Sequence, residues 1–188
     1  IKQTNPTLID DLIPGTISLG YLEKVLCLLL REGVPIRDME TILETLGDHA
    51  GALKDIDIVT EYVRQALKRT ITRRFAEANS LRVITVDPKV EDTIVASVKK
   101  SEAGSYLAMD PDLIQKIVNI TSGEIDKVKD VIPNIIILTS PIVRIYFKKL
   151  IDQFIPNITV LSYSEIDNTA QIQAIGNICL LYTSDAAD

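Results

Sequence analysis

The sequence predicts an all-α helical subdomain followed by a small α/β subdomain with a mostly parallel sheet of four to five strands. Apolar residues repeat with a helical period up to residue 79, and beyond it short β-branched runs alternate with helical stretches. An Asp or Ser followed by Pro recurs at three strand-to-helix junctions. We therefore expect a helical subdomain at residues 1–79 and an α/β subdomain at 80–178. Residues 179–188 are interpreted as a non-native tail, because their pattern continues no element.

Before residue 80, three amphipathic stripes are expected to bury one another in an all-α unit. The first ends at Gly33, while the second begins at Pro35, in a first-turn position, and ends at Gly47. The third has Asp55 or Asp57 as its N-cap. Their members are Leu22, Val25, Leu26, Leu29 and Leu30; Ile36, Met39, Ile42, Leu43 and Leu46; and Ile58, Tyr62, Val63, Ala66, Leu67, Ile71 and Phe75.

After residue 80, five apolar runs have the composition of strands, the fifth more weakly than the others. Helical stripes beginning near Val90, Leu113 and Val143 separate the first four. This order predicts a largely parallel sheet with right-handed crossovers. The predicted strands are Leu81–Val86, Ser105–Met109, Asn134–Thr139, Ile158–Tyr163 and Gln171–Ile178.

Asp87, Asp110 and Ser140 each precede a proline at the predicted carboxyl end of a strand. Their side-chain oxygens suit helix caps, with the proline placed where no N–H is needed. The alternative is a metal- or small-ligand-binding α/β enzyme, in which Asp87 and Asp110 hold Mg²⁺ or transfer protons. Because no glycine-rich phosphate loop follows any predicted strand, a nucleotide site is not expected.

The composition argues against several other classes of function. With 20 Lys and Arg against 26 Asp and Glu, the net charge of −6 disfavours nucleic-acid binding. Two cysteines and one histidine exclude a disulfide scaffold, a four-cysteine zinc site and a multi-histidine metal centre. No apolar run is long enough to span a membrane. Because the chain does not begin with Met, we interpret it as a fragment. Separately, since no motif of an active site was found, we expect no cofactor and no enzymatic activity.

Three smaller features have both a structural and a functional interpretation. His49 lies at the end of a helix and is expected to make a polar contact there rather than to catalyse. Cys27 lies within an apolar stripe and is expected in the core. A basic cluster in the third helix is either a solvated face or a contact with an acidic partner or subunit; it comprises Arg64, Lys68, Arg69, Arg73 and Arg74.

Two stretches carry a family resemblance. VPIRDMETILETL at residues 34–46, followed by TEYVRQAL at 60–67, resembles the export-gate family of type III secretion, the FHIPEP family. LTSP at residues 138–141 with Arg144, and PNITVLSYSEI at 156–166, are similar to the carboxyl-terminal end of that family. The resemblance extends over roughly residues 5–178.

The resemblance implies the third, helical and the fourth, α/β subdomain of a bacterial inner-membrane protein, lying on its cytoplasmic side. Family members form a nine-membered ring that receives export chaperones, substrates and components of the export ATPase. Membrane attachment would come through a missing N-terminal region. The resemblance also makes charged residues of the recognised stretches candidates for subunit or partner contacts, with intrachain salt bridges as the alternative: Arg37, Asp38, Glu44, Glu61, Arg64 and Lys68.

The general pattern of the sequence favours the flagellar branch of the family over the injectisome branch. Besides the enzyme built on Asp87 and Asp110, a third possibility is a standalone helical adaptor formed by residues 1–79. That possibility requires the helical subdomain to behave independently of the α/β subdomain.

Overall fold

The computed structural model describes residues 6–180, and their contacts divide the chain into two compact units. Within this range, unit 1 comprises residues 6–81, 100–105 and 162–171, and unit 2 comprises residues 82–99, 106–161 and 172–180. The predicted class, a helical unit with an α/β unit, is confirmed. The subdomain boundary at residues 79 and 80 stays a prediction. Most of the predicted tail, residues 181–188, lies outside the described residues.

Unit 1 is built on five helices and one 3₁₀ turn. The helices are α1 (Pro6–Leu12), α2 (Leu19–Arg31), α3 (Met39–His49), α4 (Ile56–Ala66) and α5 (Lys68–Phe75), and the 3₁₀ turn is Tyr163–Glu165. Helix α4 packs against α2, α3 and α5, α3 also packs against α1, and the 3₁₀ turn packs against α4 and α5. The apolar face of each helix supplies the core, which includes Val25, Leu29, Ile42, Leu43, Leu46, Val59, Val63, Leu67 and Ile71.

Three expectations about these helices need correction. Pro35 is not in the first turn of a helix, because α3 begins at Met39 with Asp38 as its N-cap. The third stripe is two helices that meet at Leu67. Cys27 is exposed rather than buried, since it lies on the outer face of α2. Helix α1 was not predicted from the sequence.

Unit 2 contains a four-stranded sheet and three helices, each of which begins at one of the predicted proline junctions. In chain order its elements are β1 (Ser80–Val86), α6 (Pro88–Ala96), β2 (Val98–Ser101), β3 (Gly104–Leu107), α7 (Pro111–Val128), β4 (Ile136–Thr139), α8 (Pro141–Asp152), β5 (Thr159–Ser162) and β6 (Gln171–Ile178). The first and last residues of some of these strands belong to unit 1.

The sheet has the strand order β5–β4–β1–β6. Strands β1 and β4 are parallel, and Val83 lies opposite Ile136. Strand β4 is buried along its whole length, as its unbroken apolar sequence requires of a strand covered on both faces. The sheet and helices enclose one apolar core, which includes Ile84, Val90, Ile94, Ile117, Ile137, Phe147 and Val160.

The predicted strand at Ser105–Met109 does not join this sheet. Its observed counterpart, β3, pairs with β2 in a separate two-stranded sheet. Strand β2, with the sequence VKKS, has only one apolar residue, which explains why apolar periodicity did not indicate it. Of the helices within residues 6–180, none has the length and hydropathy required to cross a membrane.

Candidate functional site

A buried arginine of unit 1, Arg64, lies beside two carboxylates. The side chain of Arg64, in the last turn of α4, is 2% exposed, and that of Glu165 is fully buried. Both Nε and Nη2 of Arg64 donate to the carboxylate of Glu165, the second at 3.2 Å from Oε2. On its other side, Nη1 lies 3.4 Å from Oε2 of Glu32. A planar guanidinium suits this two-point pairing, which fixes both position and orientation.

The Arg64–Glu165 pair belongs to a larger set of contacts that hold residues 162–171 on the helices of unit 1. Oε2 of Glu165 also accepts from the Ser162 backbone N–H at 3.0 Å. The backbone N–H of Asp167 donates to Oγ1 of Thr72, on α5, at 2.8 Å. We call residues 162–171 the clasp segment. It follows that the helical unit includes a segment about a hundred residues away along the chain.

The end of the clasp segment is tied to the residues that follow α5. Nδ2 of Asn79 donates to the Thr169 carbonyl at 2.7 Å, and the Gln171 N–H donates to the Asn79 carbonyl at 2.9 Å. Nε of Arg69 lies 3.5 Å from Oδ2 of Asp167. A shallow groove of about 270 Å³ lies here, lined by Arg69, Thr72, Arg73, Asn79, Asp167 and Thr169.

The carboxyl group of Asp167 has a pKa below its ordinary value. The backbone N–H and the hydroxyl of Thr169 both donate to Oδ1, at 3.0 and 2.8 Å, and stabilise the ionised form. The charges of Arg69 and Lys68 act in the same direction. The ionised carboxylate therefore helps to hold the turn at the end of the clasp segment.

The six charged candidates from the sequence occupy different environments. Arg37, Asp38 and Glu44 are exposed, and Lys68 is half-buried. Glu61 and Arg64 are buried, at 7% and 1% exposure. Asp38 also caps α3, since Oδ1 accepts from the Thr41 N–H at 3.2 Å and Oδ2 from its hydroxyl at 2.8 Å. The structure does not gather all six on one surface.

The basic cluster is similarly divided. Arg64 is buried, whereas Arg69, Arg73 and Arg74 are exposed on α5. The break at Leu67 separates them, so the cluster expected on one helix is divided between α4 and α5. His49 ends α3, as expected, and its ring stacks on Tyr62 with centroids 4.3 Å apart.

The carboxylates of the enzyme hypothesis act as helix caps. Asp87 Oδ1 accepts from the Lys89 N–H at 2.9 Å, and Asp110 Oδ1 accepts from the Asp112 N–H at 2.8 Å. Since β3 is outside the four-stranded sheet, Asp110 does not lie at the sheet edge where the hypothesis placed it. Within residues 6–180, no three His, Cys, Asp or Glu side chains are grouped so that they could hold a metal ion.

Sequence reasoning missed the buried partner of Arg64. Glu165 lies in SYSE, residues 162–165, which has the Ser-x-x-Glu spacing of a capping box. That spacing was a local signal for the 3₁₀ turn. The pairing with Arg64 has no local signal, because 101 positions separate the two residues.

Comparison with known proteins yields one family and a consistent set of relatives. The sequence profile of the FHIPEP family matches residues 1–171. The flagellar biosynthesis protein FlhA of Bacillus subtilis is 39% identical over 177 residues, covering 94% of this chain and 26% of the relative. The invasion protein InvA of Salmonella typhimurium is 31% identical over 157 residues, covering 84% of this chain and 23% of the relative. The chain thus spans about a quarter of the length of these relatives.

Solved structures have the same fold. The Chlamydia pneumoniae CdsV protein is 34% identical with a TM-score of 0.85, and the comparison covers 95% of this chain and 51% of CdsV. CdsV has also been solved as a complex with CdsO. The nonameric EscV cytosolic domain from the type III secretion system is 29% identical with a TM-score of 0.78. That comparison covers 94% of this chain and 52% of EscV.

Proposed function

The chain belongs to the FHIPEP family, and we propose that it is part of the cytoplasmic region of a bacterial protein-export gate. There it contributes to the assembly of a ring and to the docking of export substrates and chaperones. The observation that carries the proposal is the 39% identity to a flagellar biosynthesis protein over 94% of this chain. The nonameric state of the EscV cytosolic domain supports a ring.

Within the family, we assign the chain to the flagellar branch. The identity is 39% to Bacillus FlhA and 31% to Salmonella InvA, so the difference favours flagellar export. An injectisome gate is the second candidate, supported by the likeness to CdsV and EscV.

Attachment to the inner membrane would come from regions outside this chain. The fragment itself is assigned to the cytoplasmic side, in agreement with its likeness to a cytosolic domain. The proposed partners are other copies of the chain, export chaperones and substrates, and components associated with the export ATPase. The complex of CdsV with CdsO supports a protein partner for this region.

The charged candidates have two roles in this proposal. Arg37, Asp38 and Glu44, which are exposed, and Lys68, which is half-buried, would meet a neighbouring subunit or partner. Arg64 and the buried Glu61 would act from inside, by fixing α4 so that the exposed charges keep their positions. Complementary charges across such contacts set register and specificity more than affinity.

A segment exchange tests the proposal. Residues 6–178 replace the matching segment of FlhA in Bacillus subtilis, and the same residues replace the matching segment of InvA in Salmonella. Swimming motility and secreted invasion proteins are the respective measurements. Recovery in the flagellar host alone supports the flagellar assignment, and recovery in the Salmonella host alone supports the injectisome candidate. Failure in both hosts, with normal levels of both chimeras, contradicts the export role.

A further inference from the structure

Unit 2 has an open strand at one edge of its four-stranded sheet. Strands β5 and β6 are the two edges, since the strand order is β5–β4–β1–β6. Strand β5 has four residues, of which the last three are buried, whereas β6 has eight, of which the first four are exposed. Strand β6 is therefore the longest strand of the sheet and the edge that solvent reaches.

The sequence of β6, QIQAIGNI, has none of the features that usually protect an edge strand. Exposed edges carry rows of N–H and C=O groups that can pair with another chain, and proteins commonly block them with charges, prolines or short strands. Residues 171–178 contain no charged residue and no proline. Ile172, which is 44% exposed, adds an apolar side chain beside this edge. An unprotected edge of this length is suited to pairing with a further strand.

One end of the edge is already covered by α7. The backbone N–H of Asn177 donates to Oε2 of Glu124 at 3.4 Å, so this oxygen takes the place of a neighbouring strand. The side chain of Asn177 donates to Oγ1 of Thr85, on β1, at 2.8 Å. The Thr85 hydroxyl in turn donates to the Gly176 carbonyl at 3.3 Å. These bonds hold the carboxyl-terminal part of β6 on the sheet.

The amino-terminal half of the edge is open. The Gln171 N–H donates to the carbonyl of Asn79, the residue before β1. Because the N–H groups of successive residues in a strand point to opposite sides, those of Ile172 and Ala174 face away from β1. Both residues are exposed. Main-chain groups are therefore presented to solvent in the register that a further strand requires.

The partner that fits this edge is an extended, uncharged peptide segment. An added strand binds mainly through main-chain hydrogen bonds, and its side chains contribute the selectivity. The Ile172 side chain favours a β-branched residue opposite it, and the exposed Gln173 favours a polar, neutral one. Glu124, beside the covered end, disfavours an acidic residue there.

A second copy of β6 is less suitable as the partner. Pairing of two identical edges is a two-fold contact, which joins copies two at a time. The EscV relative is a nonamer, and an odd number of copies cannot all be paired in this way within one ring. An unfolded segment of another protein has no such restriction, because every N–H and C=O group of its main chain is available.

We propose that the open part of β6 binds an extended, neutral segment of an export substrate as a fifth strand of the sheet. This inference rests on the proposed docking of export substrates, and it names the surface and the chemistry of that docking. Main-chain pairing depends little on sequence, so one edge can accept segments of different substrates. The open length, residues 172–176, corresponds to about 17 Å of extended chain.

A peptide of defined sequence tests the site in the whole 188-residue chain. The probe is fluorescein-labelled TVQVTVQ, N-methylated at alternate residues so that it keeps one pairing edge and does not aggregate. Its fluorescence anisotropy should rise as the chain is added. The same peptide N-methylated at every residue has no N–H group to donate, and it should bind about tenfold more weakly or worse.

Amide hydrogen exchange locates the bound peptide on the chain. In the complex, exchange of the Ile172 and Ala174 N–H groups should slow, because they become donors to the peptide. Exchange of the Asn177 N–H, which already donates to Glu124, should change less. Exchange within α6 and α8 should stay as it is in the free chain.

Two variants close the edge. Ala174→Pro removes an outward N–H, at a position where an edge strand tolerates proline, and Ile172→Lys places a charge beside the edge. Each should weaken peptide binding by about tenfold. The matched control is Ile142→Lys, the same substitution at a 70% exposed position of α8 in the same unit. This control should bind the peptide as the wild type does, and circular dichroism verifies that every variant is folded.

Any of three results overturns the inference: no anisotropy change with the alternately methylated peptide, equal binding of the fully methylated peptide, or unchanged binding by folded Ile172→Lys. A chain that dimerises in sedimentation equilibrium, and no longer does so with Ala174→Pro, would also overturn it by assigning the edge to a second copy. The export role is tested separately by the exchange of residues 6–178 into Bacillus FlhA. A chimera that secretes at the same level with and without Ile172→Lys would refute this site and leave the export role intact.

Discussion

At the scale of single residues, Arg64 has a position that few arginines occupy: it is inside the unit, with carboxylates on two sides. Glu165 receives two of its N–H groups, and Glu32 lies 3.4 Å from the third nitrogen. Removing one member of a buried ion pair leaves the other charged and desolvated, which costs more than the pair contributes when intact. The consequence is that Arg64 matters for stability before it matters for any contact with another protein.

Replacing Arg64 with Ala should lower the free energy of unfolding by about 3–5 kcal/mol, because Glu165 is left buried without its cation. Urea denaturation followed by circular dichroism measures this loss. The matched control is Arg73→Ala, an exposed arginine on the adjacent helix, expected to change stability by less than about 0.5 kcal/mol. Equal effects at the two positions would contradict the structural role of Arg64.

Asp167 makes the stability of the clasp segment depend on pH. Its pKa is lowered in the folded state by donors from Thr169 and by Arg69 and Lys68. A lowered pKa stabilises the folded state at pH values above the ordinary pKa of Asp, near 3.9. That stabilisation is lost as the pH falls through the pKa of Asp167 in the folded state.

Asp167→Asn should therefore reduce the melting temperature at neutral pH, where wild-type Asp167 is ionised. The difference between the two proteins should shrink as the pH is lowered below about 4, where the wild-type carboxylate becomes protonated. Thermal melts across this range measure the difference. Thr169→Val, which removes one of the two donors, is expected to have a smaller effect of the same sign. A difference that grows on acidification would refute this role of Asp167.

Gly104 is held in a backbone conformation that suits glycine. Its φ is +126°, and a Cβ there would lie 3.0 Å from Oδ2 of Asp55, which also accepts from the Ser105 N–H at 3.3 Å. Gly104→Ala should cost about 1–3 kcal/mol of unfolding free energy. The control is Gly123→Ala within α7, where a Cβ meets nothing within 4 Å. It should instead stabilise the chain by about 0.5–1 kcal/mol. Two effects of the same sign would contradict the structure at one of these positions.

At the scale of elements, local chemistry explains where prediction from sequence succeeded. The Asp87 and Asp110 caps and the prolines after them mark helix starts through interactions within three residues, so α6 and α7 could be predicted closely. Helix α3 starts later than expected because the cap at Asp38, rather than the proline at Pro35, determines its first turn.

Other elements depend on contacts that no local pattern records. The polar strand β2 is formed by pairing with β3 rather than by burial. The break at Leu67 contains no proline or glycine, so the stripe from Ile58 to Phe75 looks like one helix in the sequence. The clasp segment joins the helical unit through Glu165 and Asp167, which are remote along the chain.

This arrangement predicts that residues 1–81 do not fold stably by themselves. Without the clasp segment, Arg64 would be desolvated with no Glu165 beside it. Circular dichroism of this fragment should show reduced helicity and no cooperative thermal transition. Changing Arg64 to Met in the same fragment removes the unpaired charge and should recover part of the structure. A cooperative melt of residues 1–81 would instead support the standalone helical adaptor.

At the scale of the whole molecule, the fold class and the family could be predicted from the sequence, and the charged contacts only in part. Helical periodicity and the proline junctions indicated the two kinds of unit, and the stretch at residues 34–46 indicated the family. In the structure, the charged candidate residues fall into a buried group and an exposed group. Arg64 and Glu61 are inside, whereas Arg37, Asp38 and Glu44 remain exposed. Residue type does not reveal that division, because a charged residue can be buried when its partner comes from a distant part of the chain.

The two interpretations of those charges can therefore both hold, for different residues. Buried pairs such as Arg64 and Glu165 stabilise unit 1, whereas the exposed Arg37, Asp38 and Glu44 stay candidates for a contact with another protein. In an export gate, internal pairs of this kind would keep the contact surfaces in register while copies assemble.

The export role is tested most directly by the protein secreted from Bacillus subtilis that carries residues 6–178 in place of the matching segment of FlhA. We predict that flagellar proteins in the culture medium rise well above the level of a strain lacking FlhA. The same chimera with Arg64→Ala should secrete less, because its unit 1 is destabilised. Secretion at the level of the FlhA-deficient strain, with the chimera present at normal amounts in the membrane fraction, would contradict the assignment.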